Sequence, residues 1–254
     1  MNIRLASIVL LVTSLCAVAS AATFDNETIQ YKVLYKWGLI HKQAGTATLT
    51  LKAKDNGSSY HATAIARSAS WADRIYKLRD TLHTTMNRDL TPLRYERIAH
   101  EDGKYSHDIV TFSRTGNNVL GHCQRWRRNK KETTTSTATT DLSAQGTTVD
   151  IFSSFYYLRA LPYQSMTPGT TRVVNIFSGR RKELLTFTFV GQTSLKINGR
   201  EHQVYKVLFK FTSDGKKESS DPIEAWVSTS PGHIPLKLVG KLKIGQVQCI
   251  YTGA

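Results

Sequence analysis

Apolar and polar residues alternate along most of the chain, the period-two signature of half-buried strands. Ile29, Tyr31, Val33 and Tyr35 mark a first strand within Thr28–Leu51. After a break at Gly38, a second from Ala44 to Leu51 sets Thr46, Thr48 and Thr50 outward. Asp55-Asn56-Gly57 supplies the positive-φ residues of a hairpin turn. Tyr60–Ser68 follows as a strand rich in alanine, which predicts close packing against something bulky. Trp71, Ile75 and Leu78 recur at helical spacing behind Ser70, so one or two helical turns are expected there. Leu78 to Met86 alternates again, with Leu78, Asp80 and Leu82 on one face. Leu93–Ala99 and Lys104–Phe112 form a hairpin closed over Asp102-Gly103, in which Tyr105 faces His100 and His107 lies diagonally across. Asn118–Trp126 adds a further strand.

The second half repeats the pattern with one interruption. Asp150 is placed to cap a helix over Asp150–Ala160, with Ile151, Phe155 and Leu158 on one face and Pro162 preventing continuation. Strands follow at Thr171–Phe177, Leu184–Val190 and Glu201–Thr212. The end of the chain reads as three short strands. Glu224–Val227 runs into a Pro231-Gly232 turn, and Ile234–Leu242 carries Pro235 near its start, an edge or first-residue position. The last strand sets Val247, Cys249 and Tyr251 on one face. Between the halves lie the basic run Arg125-Trp126-Arg127-Arg128-Asn129-Lys130-Lys131 and the Thr-rich stretch Glu132–Thr140. We read about 125–148 as a basic, Thr-rich loop within a single domain spanning 22–254. The expected fold class is all-β and mainly antiparallel: a curled sheet, β-roll or half-barrel with one short helix packed on it.

The first 21 residues change the picture of where this domain works. Arg4, the apolar run Ile8–Val12 and Ala19-Ser20-Ala21 have the order of a cleaved secretory signal peptide. Leu15 before Cys16 is not the small residue that a lipid-anchored cysteine requires, so the mature protein is expected soluble in the periplasm of a Gram-negative envelope. No later stretch is long and apolar enough to span a membrane as a helix. Removing Arg4 lowers the net charge from +15 to +14. A basic exported protein meets lipid headgroups and acidic glycans rather than nucleic acid. Cys123 and Cys249 remain, a possible disulfide in an oxidising compartment.

Several residues together resemble a known family. They are Tyr35–Ile40 with Ala44–Leu49, the Trp71–Thr81 segment WADRIYKLRDT, Pro92–Tyr95, and Ser154–Arg159 ahead of Leu161. Glu224–Val227 and Ile234–Lys237 with Gly240 and Ile244-Gly245 complete the set. In this order they resemble the exported bacterial proteins grouped as domain of unknown function 3108. The resemblance implies an envelope β-protein with a curled antiparallel sheet, no assigned activity and no catalytic motif to carry over. The closing Trp-turn-Pro hairpin also resembles the half-barrels that carry lipoproteins and lipids between membranes.

Candidate chemistry is sparse. Asp80 on an apolar strand face must be paired if buried, and Arg79, Arg94 and Arg159 are the expected partners. Such a pair reads as an internal ion pair, or as the polar floor of a ligand cavity walled by Trp71, Tyr156 and Trp226. His100 and His107 lack a third ligand, so no metal is expected. Arg125, Trp126, Arg127, Arg128, Lys130 and Lys131 form a candidate basic patch, echoed at Arg180-Arg181-Lys182 and Lys216-Lys217. There is no Gly-x-Ser-x-Gly elbow, His-Glu-x-x-His or phosphate loop, and no cofactor is expected. Asp73 and Asp80 are the only carboxylate pair to consider for hydrolysis. We therefore expect a non-catalytic binding module for an amphipathic or acidic ligand, entering between the sheet and the helix. A glycan-acting hydrolase and an assembly factor contacting other envelope proteins are the alternatives. The expected partners are a small molecule, lipid, acidic glycan or envelope protein.

Overall fold

Among the residues described by a computed structural model, 23–213 and 221–253, fifteen strands join in one sheet. The signal-peptide pattern, Cys16 and Lys216-Lys217 lie outside them. Eight strands run up and down in sequence order: β1 (Glu27–Trp37), β2 (Ile40–Lys54), β3 (Ser59–Ser68), β4 (Leu78–Asn87), β5 (Pro92–Glu101), β6 (Lys104–Thr115), β7 (Asn118–Arg128) and β8 (Ser136–Gln145). A short β9 (Thr148–Asp150) leads into helix α1 (Ser153–Arg159). The chain then runs through β10 (Thr171–Phe177), β11 (Lys182–Ile197) and β12 (Arg200–Ser213) to β13 (Ile223–Ser228), β14 (Pro235–Lys241) and β15 (Gln246–Gly253). The last strand pairs antiparallel with the first, Tyr31 opposite Tyr251 and Val33 opposite Cys249. Among the described residues only β9 and β10 pair in parallel.

This order leaves β8 and β9 as the two free edges, and the sheet curls until they nearly meet. Phe177 of β10 closes the seam. Its ring stacks on Phe112 at 5.7 Å, and it occupies the space that a Cβ on Gly121 would need. The Asn175 amide donates to the Gln145 carbonyl at 2.9 Å across the same gap. The architecture is thus a nearly closed barrel, held at one seam by side chains rather than a backbone ladder.

One expectation fails here. Residues 125–148 are not a loop but the end of β7, a short turn at 129–135, and β8. Threonine is β-branched and suits a pleated strand, so a Thr-rich composition that reads as low complexity is good strand material. Between β8 and β9 the chain passes from one sheet edge to the other.

The helix lies inside the curl. Phe152 and Tyr156 pack with Ile29, Tyr31, Leu51, Tyr60, Met86 and Tyr95 from the first half of the sheet. Leu158, with Leu161 and Tyr163 beyond it, packs against Val174, Ile176, Leu185 and Phe187 from the second. Asp150 caps α1 as expected, although the helix is shorter than predicted. Its Oδ1 accepts the N–H groups of Phe152 and Ser153 at 2.8 Å each, and the Ser153 hydroxyl oxygen accepts the Asp150 N–H at 2.8 Å. The Asp150 Oδ2 accepts the Thr84 hydroxyl at 2.7 Å, which ties the cap to β4.

At its other end the helix is pinned by Arg159, whose side chain is 1% exposed. Both terminal nitrogens donate to the Glu27 carboxylate, one of them at 2.9 Å. Nε donates to the Gly232 carbonyl at 2.7 Å, and the guanidinium lies 4.6 Å from the Phe24 ring. Removing one partner of a buried pair leaves the other uncompensated and costs about 3–5 kcal/mol. Glu27 keeps some contact with water whereas Arg159 keeps almost none, so the two deletions are unequal. Glu27→Ala is expected to lower stability by about 3–5 kcal/mol in urea unfolding, and Arg159→Met by less. The reverse order would contradict this account of the pair.

Candidate functional site

At the end of β1 remote from Glu27, the barrel is open. Val33 and Tyr35 continue the inward face begun by Ile29 and Tyr31, but what stands opposite them is small. β2 carries an extra residue there: Gly45 pairs with Val33 and Gln43 with Leu34, so Ala44 bulges between them. Gly45 lies so close to β3 that a Cβ would collide with the Arg67 carbonyl. Ala66 of β3 and Ala72 of the following turn complete a floor of small side chains. The alanines of β3 therefore divide in role. Ala62 and Ala64 adjoin the packed core, whereas Ala66 adjoins empty space, against the expectation of a bulky neighbour throughout.

The resulting cavity has a volume of about 810 Å³. Its walls are Val33, Tyr35, Leu78 and Val247, and its rim is formed by Trp37, Ile40, Trp71, Ile75, Tyr76, Leu242 and Ile244. Arg67 and Lys243 are the cations on its margin. Lys42 lies 4.6 Å from the Trp71 ring. The rim comes from three connections, β1–β2, β3–β4 and β14–β15, which the sheet order brings side by side at one end. Residues 72–74 make the single 3-10 turn that the helical spacing of Trp71 and Ile75 anticipates.

A polar clasp holds the β3–β4 connection in place. Arg79 donates to Asp73 at 2.6 and 3.1 Å, and the Ser68 hydroxyl donates to the same carboxylate. Ser68 Oγ in turn accepts the Leu78 N–H at 2.8 Å. The Trp71 indole N–H donates to the Gln43 carbonyl at 2.7 Å, fixing the ring across the mouth.

The predicted site residues do not converge. Asp80 is buried, but its partner is Arg97 of β5, at 2.8 Å, on the diagonal of the β4–β5 ladder. Burial pushes the Asp80 carboxyl up and the Arg97 guanidinium opposes that shift. Arg97 also holds Glu101. Arg79 is taken by Asp73, Arg94 by Glu96 at 2.7 Å and Arg159 by Glu27. Of the three proposed aromatic walls, Trp71 borders the cavity, and Tyr156 is wholly buried within α1. Trp226 packs in a separate cluster with Leu236 and Ile250, between Lys206 and Lys237 at 5.1 and 5.0 Å. No α1 residue lines the cavity, so its entrance is not between sheet and helix.

Strand alternation also divides the basic patch. Trp126 and Arg128 share one face of β7, where Trp126 stacks on His107 at 4.8 Å and Arg128 approaches Tyr105. Arg125 and Arg127 take the face of Cys123, and Arg127 pairs with the buried Asp108. Lys130 meets Asp102 at 3.2 Å, and Lys131 is exposed in the turn. His107 finds a partner in Glu96, at 2.7 Å. Both cysteines are free thiols. Six strands separate β7 from β15 in the sheet order, which sets Cys123 and Cys249 on different walls. Burial raises each thiol to about 11. The cavity residues that sequence reasoning missed, Ala44, Gly45, Ala66 and Leu242, carry no chemical signal of their own. Only the strand register shows that they converge.

Comparison with known proteins adds a family and a fold. The family model described as protein of unknown function DUF3108 matches residues 30–250. No curated protein matches the chain. The crystal structure of a beta-barrel-like protein of the domain of unknown function DUF1849, from Brucella abortus, superposes with a TM-score of 0.60 at 10% identity. That match covers 91% of this chain and 98% of the other. A putative lipoprotein from Parabacteroides distasonis covers similar shares, 91% and 95%, at 8% identity, but with a TM-score of 0.31 it superposes too loosely to bear on the fold.

The clasp gives the mouth a pH dependence. Hydrogen bonds from Arg79, then Ser68, hold the Asp73 carboxyl below its ordinary 3.8. A group depressed in the folded state contributes its full stabilisation above the unfolded value and loses it as pH falls through the folded one. Protection of the amides across residues 69–77, taken relative to their intrinsic exchange at each pH, is therefore expected to fall below about pH 3.8, before the strands open. Asp73→Asn should show the lower protection at neutral pH and no acid transition. Protection in this segment that is independent of both would disprove the clasp.

Proposed function

The chain belongs to the DUF3108 family of proteins of unknown function, and we propose that it is a non-catalytic carrier or receptor for an amphipathic molecule. The apolar part of that molecule fills the barrel mouth. The observation that carries this reading is the cavity itself: about 810 Å³ and apolar in its walls, within the roughly 300–1,000 Å³ usual for ligand pockets. Arg67, Lys42 and Lys243 at its margin favour an acidic headgroup over a neutral one. Among the described residues no helix is long and apolar enough to cross a membrane. The N-terminal pattern of Arg4, Ile8–Val12 and Ala19–Ala21 supports export and a periplasmic location.

Hydrolysis of glycan is the weaker reading. Asp73 is committed to Arg79 and Ser68, and Asp80 to Arg97. Neither carboxylate lines the cavity.

Displacement of cis-parinaric acid, a fluorescent fatty acid, tests the reading on the mature protein. Saturable binding is expected. Ala66→Trp, which fills the floor, should weaken it by about tenfold or more, the equivalent of about 1.4 kcal/mol, with an unchanged melting curve. Lys243→Glu should weaken the fatty acid more than the corresponding alcohol. No saturable binding, together with a bare mass for protein gently purified from its host, would reject the carrier.

A further inference from the structure

The surface around the mouth is apolar where a free surface has no reason to be. Thirteen large hydrophobic residues are exposed in the described structure, and seven of them lie on the three connections that form the rim. Leu39 at the tip of the β1–β2 turn is fully exposed, Ile75 is 76% and Ile244 60% exposed, and Trp37, Tyr76 and Leu242 stand beside them. All point from the same end of the barrel, because the strands that carry them are neighbours in the sheet. Lys36, Lys42, Arg74, Lys77, Lys241 and Lys243 are exposed on or next to the same three connections. The nearby carboxylates do not neutralise them. Asp73 is held by Arg79, Glu101 by Arg97 and Asp102 by Lys130.

Apolar tips within a ring of cations match one kind of surface: an acyl layer beneath anionic headgroups. Aromatic and aliphatic side chains enter the interfacial region while lysines stay at headgroup level. Each basic residue near such a surface adds attraction that salt screens. We infer that the barrel docks mouth-down on an anionic lipid bilayer through the β1–β2, β3–β4 and β14–β15 tips. The cavity then opens directly onto the acyl layer. The inference deepens the carrier reading by naming the source or destination of the ligand, and it rests on that reading for the purpose of docking.

Sedimentation of the mature protein with vesicles tests it. Binding is expected to phosphatidylglycerol–phosphatidylethanolamine vesicles and at least tenfold weaker to phosphatidylcholine vesicles, and added salt should reduce it. The double variant Leu39→Asp/Arg74→Glu, at two exposed tip residues outside the cavity lining, should lose vesicle binding at least tenfold while still binding cis-parinaric acid in solution. Ala66→Trp should do the opposite, keeping the vesicles and losing the probe. Docking and carrying can thus fail separately. Absence of sedimentation with anionic vesicles would overturn the docking, as would equal binding by the double variant. A stable dimer that Leu39→Asp dissociates would overturn it in favour of a second copy as occupant.

Discussion

The buried pair between Arg159 and Glu27 fixes which end of the barrel is closed. A guanidinium with almost no water contact is tolerable only when its charge and its donors are all answered. Here the Glu27 carboxylate, the Gly232 carbonyl and the Phe24 ring answer them together. Those partners come from the start of β1, the β13–β14 turn and the residues before β1, so one side chain gathers three parts of the chain around the end of α1. With the helix held there, Phe152 and Tyr156 fill the adjacent interior. The opposite end receives no helix, and its wall is floored by alanine and glycine.

Much of this fold is legible in the sequence. Turn signals such as Asp55-Asn56-Gly57 and Asp102-Gly103 stand where the hairpins turn, and alternation places Tyr105 opposite His100 as found. Strand identity follows from such local patterns because a strand's inward face repeats every second residue. The site is less legible because it depends on register between strands. Asp80 reads plainly as a buried carboxylate, yet three arginines are equally plausible in the linear chain and a fourth, Arg97, holds it. The basic run at 125–131 looks like one patch only when written in a line; on a pleated strand its members face opposite ways. Ala44, Gly45 and Ala66 become a cavity floor only after pairing brings them together. Leu39, Ile75 and Ile244 look like ordinary hydrophobic residues until the topology leaves them all at one end without cover.

The two margins of the barrel are governed by different physics. At the β8–β9 seam, where a backbone ladder is missing, the Phe177–Phe112 stack and the Asn175 amide give closure without continuous hydrogen bonding. At the mouth, polar groups are spent on holding the frame, with Asp73, Arg79 and Ser68 fixing the β3–β4 connection. The apolar groups are left outward. A protein stabilised only for its own sake would distribute these the other way, with hydrophobic residues inward and charges unpaired at the surface.

The pairing of β1 with β15 has a consequence for how the molecule comes into being. Tyr31 finds its ladder partner only at Tyr251, so β1 keeps an unpaired edge until the final strand has been made. Contacts so distant in sequence close slowly, because the ordering of the intervening chain precedes their reward. Until β15 has been made and reaches β1 the sheet stays open, and the ring is completed only by that pairing. Before that contact forms, the hairpins of the first half stand as an open sheet with one edge still to be paired.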